Sequence, residues 1–346
     1  MNFASQLLSW FYQAGRKDLP WQKDITPYRV WISEIMLQQT QVSTVIPYYE
    51  RFMTRFPDIH TLAEAASSDV LQFWAGLGYY ARGRNLHKTA VMIVEQYHGV
   101  FPEAPETLIS LPGIGKSTAH AILAIAFGQK LAILDGNVKR VLTRFLGIQE
   151  YPGLPIIEKQ LWAYATKLLP DTELPAYTQA IMDLGATLCT KSKPNCPSCP
   201  VNQDCQAFKN NLTADIPAKK PKKAYPTKTQ HCLVLYNPLK HEVFLETRKN
   251  SGIWGGLNTP LFFEDEAMLS AWCDTHHLDI DTANALKPRV HKFTHFQLNF
   301  TPWLLPVDGF AHETLQCYSL RALEKLALPA PIKTLFQEEI AILGKS

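Results

Sequence analysis

The sequence predicts a multidomain protein, all-α up to about residue 213 and α+β from about residue 230 on. Three observations carry this. Apolar residues recur at helical spacing from Phe3 to Phe145. From His231 onward the period changes to strand-like segments, with alternation at Phe296, Leu298 and Phe300. Between the halves, Ala218-Lys219-Lys220-Pro221-Lys222-Lys223 and Pro226 form a basic, proline-bearing linker with nothing to bury.

A chain of 346 residues, 46% of them hydrophobic, exceeds one typical core and supports compact folding throughout. The net charge of +3 is mild, so binding to a polyanion requires cations gathered on one face. No stretch reaches the roughly 18 apolar residues of a membrane span, and Met1-Asn2-Phe3-Ala4 carries no basic leader. A soluble cytoplasmic protein is expected.

In chain order, Phe3, Leu7, Trp10 and Phe11 mark a first helix, and Leu19-Pro20-Trp21 ends regular structure. Thr26 before Pro27 pairs a capping hydroxyl with a proline at the first helical position, so a helix is expected from there through Gln41. On it, Glu34 lies four residues after Val30 and three before Leu37, on the inward stripe. Burial disfavours the charged form, and a glutamate with a raised pKa is what a general acid near neutral pH requires. A solvated glutamate on an amphipathic helix is the plainer alternative. Gln38, Gln39, Thr40 and Gln41 follow, with side chains that can donate and accept to base edges.

The helical pattern continues past Pro57 and Pro102, interrupted by Gly76-Leu77-Gly78-Tyr79-Tyr80-Ala81-Arg82-Gly83-Arg84. Aromatics on a glycine-bounded bend before two arginines suit insertion between base pairs with cations on phosphates, although a tyrosine packed at a helix junction explains them equally. Leu111-Pro112-Gly113-Ile114-Gly115-Lys116-Ser117 is a tight glycine turn opening a helix from Ser117 to Phe127. Exposed amides at a helix N-terminus bind phosphate, and an ordinary interhelical turn is the competing reading. Asp135 precedes a further helix carrying Val138, Val141, Leu142 and Phe145, at the end where the dipole favours an ionised carboxylate. The pair Glu34 and Asp135 is therefore expected to be pushed opposite ways, one delivering a proton and one staying negative beside a developing cation. That division suits cleavage of a glycosidic bond.

Four of the seven cysteines, Cys189, Cys196, Cys199 and Cys205, stand with six, two and five residues between them, flanked by Lys191, Lys193 and Lys209. Zinc ribbons usually pair two Cys-x-x-Cys knuckles, whereas an iron–sulfur cube accepts four cysteines from one loop, so an iron–sulfur cluster is favoured over zinc. Beyond the linker, His231–Tyr236 and Glu242–Thr247 read as strands across a turn at Asn237-Pro238, and Phe296, Leu298 and Phe300 as a later one. The loop Gly252-Ile253-Trp254-Gly255-Gly256-Leu257 receives no role from the residues alone.

Together, Leu-Pro-Gly-Ile-Gly-Lys-Ser, the downstream Leu-Asp-Gly-Asn, Ser-Glu-Ile-Met-Leu-Gln-Gln-Thr-Gln, Gly-Leu-Gly-Tyr-Tyr-Ala-Arg and the cysteine spacing resemble the helix-hairpin-helix DNA glycosylases of the endonuclease III superfamily, in particular those that act on adenine. The resemblance implies a six-helix barrel (27–132), a cluster domain (1–26 with 133–213) holding one 4Fe-4S cluster, a linker (214–229) and a Nudix-like domain (230–346). It implies a monomeric base-excision enzyme that flips adenine out of duplex DNA, where it is mispaired with 8-oxoguanine or guanine, with no membrane partner.

By the same resemblance, Glu34 protonates adenine at N7 and then assists water, and Asp135 stabilises the sugar cation with Asn137 nearby. Trp21, Leu37 and Val42 line the adenine pocket. Gln39, Thr40 and Tyr79 meet the lesion, and Gly113, Gly115 and Ser117 lie at the DNA. Ser117 stands where lyase relatives carry a Schiff-base lysine, so base release without efficient strand cleavage is expected. Adjacent Lys116 should point about 100° away. The family's lesion-reading Phe-Ser-His appears as Phe293-Thr294-His295, and the Arg-Glu-x-x-Glu-Glu box of Nudix hydrolases is missing, so no diphosphate cleavage is expected. Two rivals remain: an endonuclease III-like glycosylase and lyase, and a mismatch-binding protein without catalysis.

Overall fold

The computed structural model describes residues 2–220, 226–249, 252–293 and 295–340. Its helices are α1 (Phe3–Ala14), α2 (Pro27–Leu37), α3 (Val42–Arg55), α4 (Ile59–Glu64), α5 (Ser67–Trp74), α6 (Ala81–Tyr97), α7 (Pro105–Ser110), α8 (Lys116–Phe127), α9 (Gly136–Leu146), α10 (Pro155–Lys167), α11 (Leu174–Asp183), α12 (Gln206–Lys209), α13 (Glu266–Thr275) and α14 (Ala330–Leu335). The strands are β1 (Thr227–Asn237), β2 (Glu242–Thr247), β3 (Asn258–Thr259), β4 (Leu261–Phe263), β5 (Asn284–Ala285), β6 (Arg289–Lys292), β7 (Gln297–Pro306) and β8 (Leu315–Ser319). Two compact units emerge, Met1–Ala65 with Ala81–Pro221, and Ala66–Tyr80 with Lys222–Ser346.

Helix starts follow local chemistry. Thr26 caps α2 by accepting from the Arg29 amide, Asp58 caps α4 through Thr61, and Asp135 caps α9 through Val138. Prolines occupy the first turn of α2, α7, α10 and α11, where a missing N–H costs nothing. The left-handed glycines Gly128 and Gly147 stop α8 and α9.

One expected boundary is wrong. α2 ends at Leu37, not Gln41, and Gln39 turns left-handed at φ 58°. Arg82 on α6 accounts for the early stop. Its guanidinium donates to the carbonyls of Ile35, Met36 and Gln38 at 2.6–2.9 Å, supplying the donors that a longer helix would have provided.

In the first unit, α1 lays Phe3, Leu7 and Phe11 on Val138, Leu142, Tyr177 and Ile181, so the N-terminal helix packs with α9 and α11. Each such side chain contributes about 1.5–3 kcal/mol on burial. Past Asp183, α11 continues into a π turn, Leu184–Leu188, that ends at Cys189.

The second unit centres on a mixed sheet in the order β3-β2-β1-β7-β5, with β4 on β1, β6 on β7 and β8 on β2. β1 and β7 run parallel from Thr227↔Gln297 to Tyr236↔Pro306, and the other pairs are antiparallel. Because side chains alternate along β1, Cys232 and Val234 join α14 residues Ile332 and Leu335 in one core, and Leu233 and Leu235 join α13 residues Leu269 and Cys273 in another. Covering both faces turns the strand into a continuous apolar run. The expected turn at Asn237 is held by its carboxamide, which accepts from the Leu239 and Lys240 amides.

The segment Ala66–Tyr80, expected within the barrel span 27–132, groups with this second unit. Leu71 is buried against Leu257 and Ala327, and the Tyr80 hydroxyl donates to the Leu328 carbonyl at 3.2 Å. Residues 221–225 of the expected linker fall outside the described residues.

Candidate active site

A cavity of about 560 Å³ opens in the helical unit, walled by Trp21, Glu34, Leu37, Thr40, Val42, Ser117, Asp135 and Asn137, with Arg16, Gln179 and Met182 beyond them. Trp21, Leu37 and Val42 thus come together with Glu34, Asp135, Asn137 and Ser117. A second cavity of about 280 Å³ shares Trp21, Glu34 and Gln179 and is lined by Phe11, Ile25, Val30, Ile125 and Pro175, with Lys17 and Gln22 at its wall. Glu34 therefore faces both. The one-turn helix after Pro20 sets Trp21 edge-on to Tyr49 at 5.5 Å and leaves it 6% exposed.

The Glu34 carboxyl carries no hydrogen bond among the described residues. Burial pushes its pKa up to about 8, and the neighbouring Asp135 carboxylate adds to the rise. Asp135 differs in its donors. The Val138 amide meets it at 2.8 Å, and the Asn137 amide and side chain and the Arg140 charge also favour its ionised form. Even so, burial outweighs these donors and raises Asp135 above the usual carboxylate range. The expected push in opposite directions is corrected here. Both carboxyls are raised, because desolvation in the cavity wall outweighs the donors at the cap residue as well. What separates them is the donor set, which favours the ionised form of Asp135 and offers nothing to Glu34.

Asn137 is held in turn. Its Oδ1 accepts from Arg140, whose guanidinium also donates to the carbonyls of Gly185 and Cys189 at 2.7 and 2.8 Å. The π turn lies so close to α9 that a Cβ on Gly185 would sit 2.6 Å from that of Asn137, which requires glycine. Below the cavity, Asp183 is fully buried and accepts from the Arg16 amide at 2.8 Å and from its guanidinium at 2.6 and 3.1 Å. This clamp ties the segment bearing Trp21 to α11, and Gln22 closes it by donating to the Arg16 carbonyl.

At the glycine turn, Gly113 takes φ 81° but Gly115 does not, lying extended at φ −85° as the N-cap of α8. The expectation of positive φ thus holds for one glycine. Nothing lies within 4 Å of a Cβ built on Gly115, so its surroundings are open to a close approach. Ser117 points inward, its hydroxyl accepting from the Leu134 amide at 3.1 Å. Lys116 points elsewhere, with Nζ 4.3 Å from the Trp162 ring centroid.

Thr40 is half-buried and accepts from Arg82 at 3.1 Å, whereas Gln39 is exposed. In the second unit, Tyr79 is left-handed at φ 48° and 47% exposed, and His295 is exposed beside Phe296. Thr294 lies outside the described residues.

Cys189, Cys196, Cys199 and Cys205 line one cleft with Arg144. Arg144 reaches the Cys189 sulfur at 3.4 Å and the carbonyls of Thr190 and Lys191, and it is 2% exposed. Burial raises the thiols of Cys196, Cys199 and Cys205, Cys199 to about 12, and neighbouring thiolates oppose ionisation further. Among the described residues no three His, Cys, Asp or Glu close on a single ion.

Residues 32–167 match the HhH-GPD superfamily base excision DNA repair protein model, and residues 231–338 match the NUDIX domain. The adenine DNA glycosylase of Buchnera aphidicola subsp. Baizongia pistaciae is 41% identical over 335 residues, covering 95% of this chain and 94% of that protein. The chain belongs to the adenine DNA glycosylase family. It is a base-excision DNA N-glycosylase that acts on adenine, built as expected from an α-helical glycosylase domain followed by an α+β Nudix domain. The human adenine DNA glycosylase is 46% identical over 214 residues, 59% of this chain and 39% of that one. A thermostable thymine-DNA glycosylase structure covers 60% of the chain at TM-score 0.55 and 29% identity, and 95% of its own chain is matched. A non-covalent endonuclease III–DNA complex, at TM-score 0.51 and 23% identity over 60% of this chain and 94% of its own, shows the same fold.

Sequence reasoning missed Arg16, Arg140, Arg144, Gln179 and Asp183. Arg16, Arg140, Arg144 and Asp183 meet partners on other elements, while Gln179 donates to Asp183 within α11; only Arg140 and Arg144 left a local trace, on the helix that Asp135 caps.

Proposed function

We propose that this glycosylase hydrolyses the N-glycosidic bond of adenine mispaired with 8-oxoguanine or guanine, with Glu34 as the acid and Asp135 as the carboxylate beneath the sugar. The supporting observation is that both carboxyls face one cavity while the donors belong to Asp135 alone. Flipped adenine enters beside Trp21 and Glu34. Glu34 gives its proton to N7, the C1′–N9 electron pair leaves with the base, and the ionised Asp135 offsets the positive charge at C1′. Water then adds at C1′ and its proton returns to Glu34. Asn137 holds Asp135 in place and favours its charged form.

With Ser117 bonded to the Leu134 amide and Lys116 seated on Trp162, no amine faces the cavity from this turn, which favours base release without strand cleavage. The open backbone at Gly115, after the left-handed turn at Gly113, suits a DNA phosphate. Gln39, Thr40 and Tyr79, with Thr294 and His295, serve as contacts to DNA and the opposite base. The enzyme acts as a monomer at the bacterial nucleoid.

Cys189, Cys196, Cys199 and Cys205 would hold one 4Fe-4S cluster. Burial raises the Cys196, Cys199 and Cys205 thiols, and a cationic centre among them would stabilise their thiolates, which the donor set fits. When bound, such a cluster pins the loop that carries Lys191 and Lys193. Iron and sulfide assays on purified protein test the cluster. The function is tested by single-turnover release of adenine from A:8-oxoguanine and A:G duplexes with wild type, Glu34→Gln and Asp135→Asn. Binding without release by wild type would leave only the non-enzymatic reading.

A further inference from the structure

Trp254 occupies a loop closed by Arg248 and Leu257, whose backbones pair at 3.0 Å, and by the Leu257 amide on the Trp254 carbonyl at 3.0 Å. It is left-handed at φ 55°, a conformation that a bulky side chain adopts only when its surroundings impose it. Strain of this kind points to a purpose for the ring.

The half-buried indole makes two sets of contacts within the second unit. Toward β6 and β7 it lies 5.8 Å from Phe293 and 5.9 Å from His291, with Phe262 and Phe300 at 5.4 and 6.3 Å. Phe293 stacks on Phe296 at 4.4 Å, and its amide donates to the Phe296 carbonyl at 2.9 Å. These contacts fix Phe293 and Phe296 on either side of His295, whose ring is 4.9 Å from Phe296. The indole also packs on the cluster of Leu71, Leu257 and Ala327, where Tyr80 packs as well. Tyr80 is anchored through its hydroxyl to the Leu328 carbonyl, and Tyr79 is its chain neighbour.

We infer that Trp254 is a positioning residue for recognition of the base opposite adenine, holding the Phe293–Phe296 turn and the Tyr79 segment in one fixed relation. The inference rests on the proposed reading of Tyr79 and His295 as contacts to that base. Trp254 itself need not touch DNA. Interlocked rings are a rigid way to set two contacts, because edge-on and offset pairs prefer defined geometries and a small misplacement is felt in the rate.

The test is single-turnover adenine release by the full chain from A:8-oxoguanine and A:G duplexes, with wild type, Trp254→Ala, Trp254→Phe and His295→Ala. Trp254→Ala is expected to lower the rate on A:8-oxoguanine roughly tenfold more than that on A:G, with Trp254→Phe between it and wild type. An equal loss on both duplexes would assign Trp254 a merely structural role and overturn the inference. A lowered preference in His295→Ala with none in Trp254→Ala would overturn it while leaving the lesion reading intact. An unchanged preference in both variants would sink that reading and the inference with it. Trp254→Phe keeps a ring in the core, so the comparison survives if the alanine variant folds poorly.

Discussion

Glu34 and Asp135 line one cavity, yet of the two carboxyls only Asp135 receives hydrogen bonds. Two carboxyls in one desolvated site cannot both ionise cheaply, and the donors favour the charge on Asp135.

Glu34→Gln is therefore expected to slow adenine release by 10²-fold or more, of the order general acid catalysis supplies. The same change should stabilise the protein in alkali. The Glu34 pKa, about 8 in the fold against an unfolded value of 4.5, means the group contributes fully below pH 4.5 and that contribution is lost as pH rises through about 8. Removing the carboxyl relieves a cost on the order of a few kcal/mol above pH 8. Thermal unfolding of wild type and variant at pH 6 and pH 9 checks the sign.

Asn137→Ala removes an amide donor from Asp135 and the acceptor of Arg140. Without that donor the Asp135 pKa rises further, so the acid limb of the pH–rate profile should move to higher pH, with roughly a tenfold loss at neutral pH. An acid limb that stays in place would count against Asn137 as the holder of Asp135.

Asp183→Ala leaves the Arg16 guanidinium without its partner and unties the Trp21 segment from α11. Breaking a buried pair this way costs about 3–5 kcal/mol. Denaturant unfolding should register that loss, and a change below 1 kcal/mol would show the clamp to be idle.

Lys116→Ala should leave borohydride trapping on adenine-containing duplexes as weak as in wild type, because the ammonium sits over Trp162 rather than toward Ser117. A strong wild-type adduct that vanishes in the variant would assign lyase chemistry to this lysine.

The sequence carried much of this site and missed specific parts of it. Thr26-Pro27 and the Val30, Leu37 stripe made α2 and the inward Glu34 legible, since capping and periodicity are local. The stop at Leu37 was not, because its cause is Arg82 on another helix. The direction of the Asp135 shift was misjudged for a similar reason. The helix end at Asp135 is visible in the sequence, but the depth at which the fold seals it is not. In the second unit, β1 and β2 announced themselves as short apolar runs and β7 by alternation, while β3 and β5, two residues each, have no period to read. Trp254 looked like one more aromatic in a glycine loop until four ring partners, Phe262, His291, Phe293 and Phe300, surrounded it.

The most direct test is an infrared titration of the carboxyl groups in wild type, Glu34→Gln and Asp135→Asn. The account expects a protonated-carboxyl band at pH 7 that disappears near pH 8, is missing in Glu34→Gln and persists in Asp135→Asn. Loss of that band near pH 4.5 in wild type, or its survival in Glu34→Gln, would contradict it.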